Sequence, residues 1–159
     1  MSDWFVLNAR DAEWIDCDLG KCCSFEPADA RFPQFGININ ILQPGEPMTM
    51  YHRENEQEDF LVLDGECLLI VEGEERPLKR WDLFHCPPGV AHAIVGAGDK
   101  PSLVLAVGAR GGDDATVYPA DPAAQRHGAG VASETTSAKE AYAGYTFPRG
   151  PYQEGWLPE

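Results

Sequence analysis

The stretch PGEPMTMYHRENEQEDFLVLDGE, residues 44–66, decides the fold. On an extended chain, side chains two apart share a face, so His52 and Glu54 point the same way, and Glu58, Phe60 and Val62 keep that parity. An imidazole, two carboxylates and two apolar groups on one face suit a polar cluster held among hydrophobic walls. A buried ionised carboxylate there needs a partner, and a metal ion supplies one. The end of the stretch, Phe60-Leu61-Val62-Leu63 and Asp64-Gly65, leads into an apolar run at 67–71. This predicts a β-hairpin, because Asp-Gly tolerates the positive φ angles of a tight turn.

Upstream, Ile37, Ile39 and Ile41 alternate with Asn38 and Asn40, the period of a half-buried strand, and Pro44-Gly45 ends it. Downstream, Glu72-Gly73-Glu74-Glu75 makes another turn, and residues 83–86, 92–95 and 103–107 read as strands bounded by Pro or Gly. Residues 1–33 are irregular, with Trp4-Phe5-Val6-Leu7 as a first strand and Gly20 and Pro27 as breakers, and are expected to wrap a barrel. No helix-period segment of useful length precedes residue 110. Strands recurring at short spacing indicate an all-β sandwich or closed barrel.

Beyond Arg110 the composition shifts to Ala, Gly and Pro, and two short helices are predicted. Asp121 followed by Pro122 fits an N-cap with proline in the first turn, ending at Gly128; Ser137 with Glu140 fits a capping box, ending near Gly144. The tail also holds Tyr142, Tyr145, Phe147, Tyr152 and Trp156, more apolar area than a free tail exposes. It should dock, either on its own barrel or on a second copy.

A chain of 159 residues has room for one domain and one core. With 12 Lys and Arg against 26 Asp and Glu, the formal charge is −14, which repels phosphate backbones and anionic membranes. Nucleic acid is therefore not an expected partner. No apolar run approaches the length of a membrane span, and the opening Met1-Ser2-Asp3-Trp4 lacks the features of an export signal. The protein is expected to be soluble and cytoplasmic. Cys17, Cys22, Cys23, Cys67 and Cys86 do not form a two-plus-two zinc pattern and read as reduced thiols. The neighbours Cys22 and Cys23 could be a redox or metal site, but chance pairing in a loop is the simpler reading.

A second stretch, WDLFHCPPGVAHAIVG at residues 81–96, places His92 three positions after Gly89, beyond a tight Pro87-Pro88-Gly89 turn. Here the chain resembles the cupin family. Gly45, His52, Glu58 and Gly65 match the family's first motif; Pro87, Gly89 and His92 match its second. The resemblance covers roughly residues 36–107. It implies a cupin-type jelly-roll β-barrel, a double-stranded β-helix forming a single domain, with a C-terminal extension over 110–159 that is short-helical or irregular. It also implies a metal inside the barrel mouth and, commonly, a homodimer. There are departures. Glu54 stands in place of the second His, Trp81 in place of the first Gly of motif two, and Gly96 in place of its Asn; Gly45 lies one residue further from His52 than usual.

Carried over residue by residue, the resemblance implies a metal set of His52, Glu54, Glu58 and His92. His52, Glu58 and His92 alone make a two-His, one-carboxylate set that leaves positions for ligands. Glu54 is then a fourth ligand, a general base, or a residue turned to solvent with Glu56. A second carboxylate would cancel the charge of a divalent ion, weakening its pull on anions such as sugar phosphates. Oxygen ligands tilt the preference towards manganese or iron, with zinc and nickel open. The expected function is a mononuclear metal-dependent enzyme, an oxidoreductase of oxygenase type or an isomerase, acting on a small polar or aromatic molecule. The alternatives are a small-ligand-binding module without turnover, or a metal-free barrel in which the two imidazoles are satisfied core residues. By parity His85 could face the pocket, although a structural role is commoner, and His127 reads as a helix-end residue.

Overall fold

Strands of three to eight residues, many of them rich in β-branched and aromatic side chains and bounded by glycine, form the framework of the chain. The structure is a computed structural model that describes residues 4–27, 31–112 and 115–159. Its strands are β1 (Glu13–Cys17), β2 (Gly20–Ser24), β3 (Phe35–Leu42), β4 (Glu58–Asp64), β5 (Glu66–Val71), β6 (Glu74–Lys79), β7 (Leu83–Cys86), β8 (His92–Ala97), β9 (Ser102–Ala109) and β10 (Arg149–Pro151). Two short helices, α1 (Pro122–Arg126) and α2 (Ala138–Ala141), precede the last strand. A seven-stranded antiparallel sheet runs β10-β1-β2-β3-β9-β4-β7, and a three-stranded sheet runs β6-β5-β8. The fold is the all-β cupin jelly roll. Between the sheets Leu42, Phe60, Val62, Leu69, Ile94 and Val104 form the main core.

The pairing around Asp64-Gly65 differs from the sequence expectation. β4 and β5 do not form a hairpin: β4 pairs with β7 and β9, whereas β5 pairs with β6 and β8 in the other sheet. Asp64-Gly65 is a corner between sheets. A Cβ on Gly65 (φ +76°) would stand 2.8 Å from the Pro101 carbonyl oxygen, so the chain passes too close to the strand β9 approach for any side chain. The two-residue hairpin lies further on, where Glu72 (φ 50°) and Gly73 (φ 78°) join β5 to β6 with both angles positive, as a type I′ turn requires.

Strand β3 forms where the alternation placed it, but it is covered on both faces rather than half-buried. Ile39 and Ile41 lie on the outer face of the large sheet, in a cluster with Trp14 and Cys23. Asn38 and Asn40 point into the barrel instead, and Asn40 is buried. Both faces of β3 are covered, so alternation alone does not say which is interior. The outer cover comes from the tail: Tyr152 and Trp156 pack on Trp14 with ring centroids 6.0 and 5.6 Å away, and β10 pairs with β1. The tail thus docks on its own barrel.

Trp4 to Leu7 is not a strand. Trp4 and Val6 face solvent without a pairing partner, and the first strand is β1, anchored by the fully buried Trp14. Both predicted helices form. Asp121 accepts from Ala124 N at 2.9 Å and Ser137 from Glu140 N at 3.3 Å. Glu140 does not complete a capping box; its carboxylate accepts from the Thr135 hydroxyl. Among the described residues no helix is long and apolar enough to cross a membrane.

Candidate metal centre

His52 and His92 come from distant segments and face each other across a reciprocal backbone pair: His52 N donates to His92 O at 3.1 Å, and His92 N to His52 O at 2.9 Å. This antiparallel bridge places the imidazoles side by side, with ring centroids 4.9 Å apart. Glu58 opens β4 in the opposite sheet and reaches across the barrel. Its Oε2 lies 3.3 Å from His92 Nε2 and 3.6 Å from His52 Nε2. One ligand atom from each of the three residues falls within 4.8 Å of the others. Two ligands each about 2.1 Å from a common ion stand roughly 3 Å apart when at right angles. The spacing fits a shared cation.

The ring tautomers sharpen this. His52 Nδ1 is 2.8 Å from the Met50 carbonyl and His92 Nδ1 is 3.2 Å from that of Val90. A carbonyl only accepts, so both Nδ1 atoms carry the proton and donate. In the neutral rings each Nε2 then presents a lone pair towards Glu58, whose oxygen also presents one. Such a meeting is repulsive unless a cation or a proton lies between. His92 Nε2 is buried and has no hydrogen-bond partner, the condition that an ion would relieve. The surroundings agree: Phe60 packs tilted and Phe84 edge-on beside His92, with ring centroids 5.3 and 5.6 Å away, and Cys86 Sγ lies 3.3 Å from its Nδ1.

The charge states follow. Burial opposes protonation of His52, but hydrogen bonding and attraction from Glu58, the Met50 carbonyl and the charge of Glu54 outweigh it, so its pKa is raised. Burial and the neighbouring His52 together push His92 down, against the pull of Glu58. Burial raises Glu58, but the two imidazoles more than offset this and leave it below the ordinary carboxylate value. Without an ion, Glu58 therefore favours a proton on His52 more than on His92, whose Nε2 has no hydrogen-bond partner among the described residues.

Of the four residues implied by the sequence, His52, Glu58 and His92 converge. Glu54 stands beside them at the rim, with Oε1 3.6 Å from His52 Nε2 and 3.5 Å from the Thr116 hydroxyl, and its side chain is 35% exposed. The chain leaves extended geometry between Glu54 and Glu58, since β4 begins only at Glu58, so parity does not carry across that gap. His85 turns to solvent and bonds Asp59 at 2.7 Å, because Cys86 takes the inward position of β7. His127 caps α1 and bonds Glu75 at 2.9 Å. Cys22 and Cys23 are successive residues of β2 on opposite faces, and burial raises their thiol pKa values to about 12 and about 11. The two thiols do not converge on one site, and all five cysteines are free thiols.

Other neighbours of the site were not legible in the sequence. Tyr118 packs against His52 at 6.0 Å, and the Tyr142 hydroxyl accepts from Met50 N at 3.2 Å, two bonds from the carbonyl that orients His52. Both tyrosines arrive from the extension by long-range packing, and no local pattern announces such contacts. The inward asparagines could have been suspected: Asn40 Nδ2 donates to Asn38 Oδ1 at 2.6 Å, a pair unusual for a strand interior.

Comparison with known proteins identifies the architecture. A family model for the cupin domain matches residues 38–108. Over 75 residues, 47% of this chain, the sequence is 34% identical to the 5-nitrosalicylic acid 1,2-dioxygenase of a Bradyrhizobium species. The match spans 36% of that enzyme, so the chain corresponds to about a third of its curated relative. Among solved structures, a cupin 2 conserved barrel domain protein of Salinispora arenicola is 21% identical, with 68% of this chain and 88% of that one covered at a TM-score of 0.54. A Thermotoga maritima protein, a predicted oxalate decarboxylase, is 19% identical, with 66% of this chain and 98% of that one covered at a TM-score of 0.58. At these identities the two structures speak to the fold alone.

Proposed function

We propose that this chain, which over residues 38–108 belongs to the cupin family, is a metal-dependent enzyme of oxygenase type acting on a small organic molecule. His52, Glu58 and His92 hold a divalent transition metal, and Glu54 stands next to it as a further ligand or as a base. The observation that carries this reading is the buried, unpartnered His92 Nε2, aimed with His52 Nε2 at one carboxylate oxygen. When bound, the ion supplies Lewis-acid activation of substrate, water or dioxygen. The dioxygenase activity of the 34% identical relative supports the oxygenase class.

The protein's own groups have separable tasks. The Met50 and Val90 carbonyls fix both imidazoles with Nε2 free, so the donor set is organised before any ion arrives. Glu58 supplies the anionic donor from the opposite sheet. Phe60, Phe84 and Cys86 exclude water from the His92 side. Glu54, at the open rim, is placed to accept a proton from a substrate and return it to solvent.

Elemental analysis of untagged protein, purified without added metal, tests this directly. The expected content approaches one transition-metal ion per chain, with Glu58→Gln reducing it more than tenfold. If Glu54→Gln keeps the metal but loses turnover, Glu54 is the base; if it also releases metal, Glu54 is a ligand. Metal in fewer than a tenth of chains, and none restorable, overturns the reading.

A further inference from the structure

A cavity of about 380 Å³ opens behind Glu58, with the carboxylate in its wall and Phe60 and Met48 beside it. We infer that this cavity is the substrate chamber and that it selects an uncharged ligand the size of one substituted aromatic ring, excluding carboxylate and phosphate anions. The inference rests on the metal-enzyme reading for the word substrate; the binding preference does not depend on it.

Size comes first. An apolar cavity of about 150 Å³ takes up benzene, so this volume admits one ring with substituents. Its walls are chiefly apolar, with Ile15 and Leu19 on one side and Tyr142 and Phe147 on another. Charge decides the class. Among the described residues that line it there is no Lys, Arg or His, and Glu58 is the sole carboxylate. The thiols of Cys17 and Cys22 also line it, and burial raises both pKa values, so they stay neutral. An anion entering here would shed its hydration and meet the Glu58 carboxylate, and none of the residues lining the cavity offers it a cation.

The cations nearby are directed elsewhere. Arg31 and Arg110 line a separate, more polar cavity of about 300 Å³ at the Glu54 rim, and Arg110 forms a two-pronged pair with Glu26. Uncharged polar groups are available inside instead: Asn38 and Asn40, the Thr49 side chain and the Tyr142 hydroxyl. A hydroxyl, ester or amide substituent finds neutral partners here; a carboxylate finds no cation to offset its charge. Tyr142 and Phe147, like Ile15, Leu19 and Cys22, lie outside residues 38–108. Part of the chamber's apolar wall therefore comes from segments outside the family match, while Glu58, inside it, sets the charge preference, which departs from the carboxylic acid named for the dioxygenase relative.

Methyl salicylate and salicylate share a ring and differ in charge at neutral pH, which makes them a matched pair of probes. Calorimetric titration of metal-stripped wild-type protein should show the ester binding at least tenfold more tightly than the acid. Phe147 is half exposed, so its replacement leaves the fold intact. Phe147→Ala should weaken the ester at least fivefold, and Phe147→Arg should shift the preference towards the acid. Equal or tighter binding of salicylate to wild type, absence of binding by both probes, or an unchanged ester affinity in Phe147→Ala would overturn the inference. Because the titration uses stripped protein, its failure is distinct from a failure to find metal.

Discussion

Trp81 is held at φ 76°, a left-handed backbone conformation, at the position where the cupin pattern has glycine. For an L-residue with a bulky side chain that conformation costs about 1–2 kcal/mol. The turn is locked from both sides: Trp81 N donates to Val62 O at 2.8 Å, and Asp82 accepts from Lys79 N at 2.9 Å. The indole is largely exposed, with the guanidinium of Arg80 4.7 Å from its ring centroid. Comparing Trp81→Gly with Trp81→Ala isolates the backbone, since both lose the indole and one alone relieves the angle. In urea denaturation the glycine variant should be more stable than the alanine variant by about 1 kcal/mol. Equal midpoints would show that the angle carries no strain. The other departure in that motif is steric: a Cβ on Gly96 would lie 2.2 Å from the Gln43 carbonyl oxygen, so asparagine does not fit there.

At the scale of elements, Glu26 and Phe32, between β2 and β3, are clamped to the end of β9. The Arg110 guanidinium makes a two-pronged pair with Glu26, donates to the Phe32 carbonyl at 2.8 Å and lies across Gly36, where a Cβ would meet it at 2.7 Å. Hydrogen bonding from Arg110, helped by the Phe32 amide and opposed by burial, lowers the Glu26 pKa. A carboxylate lowered by folding contributes stability that is complete above its unfolded pKa, about 4.3, and disappears as pH falls through its lower folded value. Glu26→Gln should therefore cost on the order of 1 kcal/mol at neutral pH, with the gap to wild type closing below pH ~4. A gap constant down to pH ~3 would contradict the linkage. What the sequence made legible divides along the same line. The strands read from local period and punctuation at 83–86, 92–95 and 103–107 appear at Leu83–Cys86, His92–Ala97 and Ser102–Ala109, and both helix N-caps followed from residue chemistry. Pairing did not, because whether Asp64-Gly65 closes a hairpin or turns a corner depends on Pro101 and Ser102, far along the chain. The convergence of His52, Glu58 and His92 was anticipated by the resemblance to the cupin motifs; the position of Glu54 was not, because loop geometry follows no parity.

Over the whole molecule, 26 acidic groups face 12 basic ones, so most carboxylates have no basic side chain to pair with even if every Lys and Arg found one. Many of the ion pairs that form are exposed, such as Arg76 with Glu74 and Arg149 with Glu13, and pairs of that kind contribute little. Net repulsion in the compact state is the larger effect. Its range shrinks from about 30 Å at 0.01 M salt to about 8 Å at 0.15 M, from roughly the width of a small domain to the spacing of near neighbours. Raising NaCl over that interval should stabilise the fold by about 1 kcal/mol, a rise of about 2–4 °C in Tm for a chain of this size. The measurement is a thermal melt with a chelator present, so that metal affinity does not add its own salt dependence. A Tm that falls with salt would mean that attractive pairs such as Arg110 with Glu26 outweigh the repulsion. The same field draws divalent cations towards the barrel mouth and turns anions away, so metal uptake by the stripped protein should slow as salt is raised, in the opposite sense to the gain in stability.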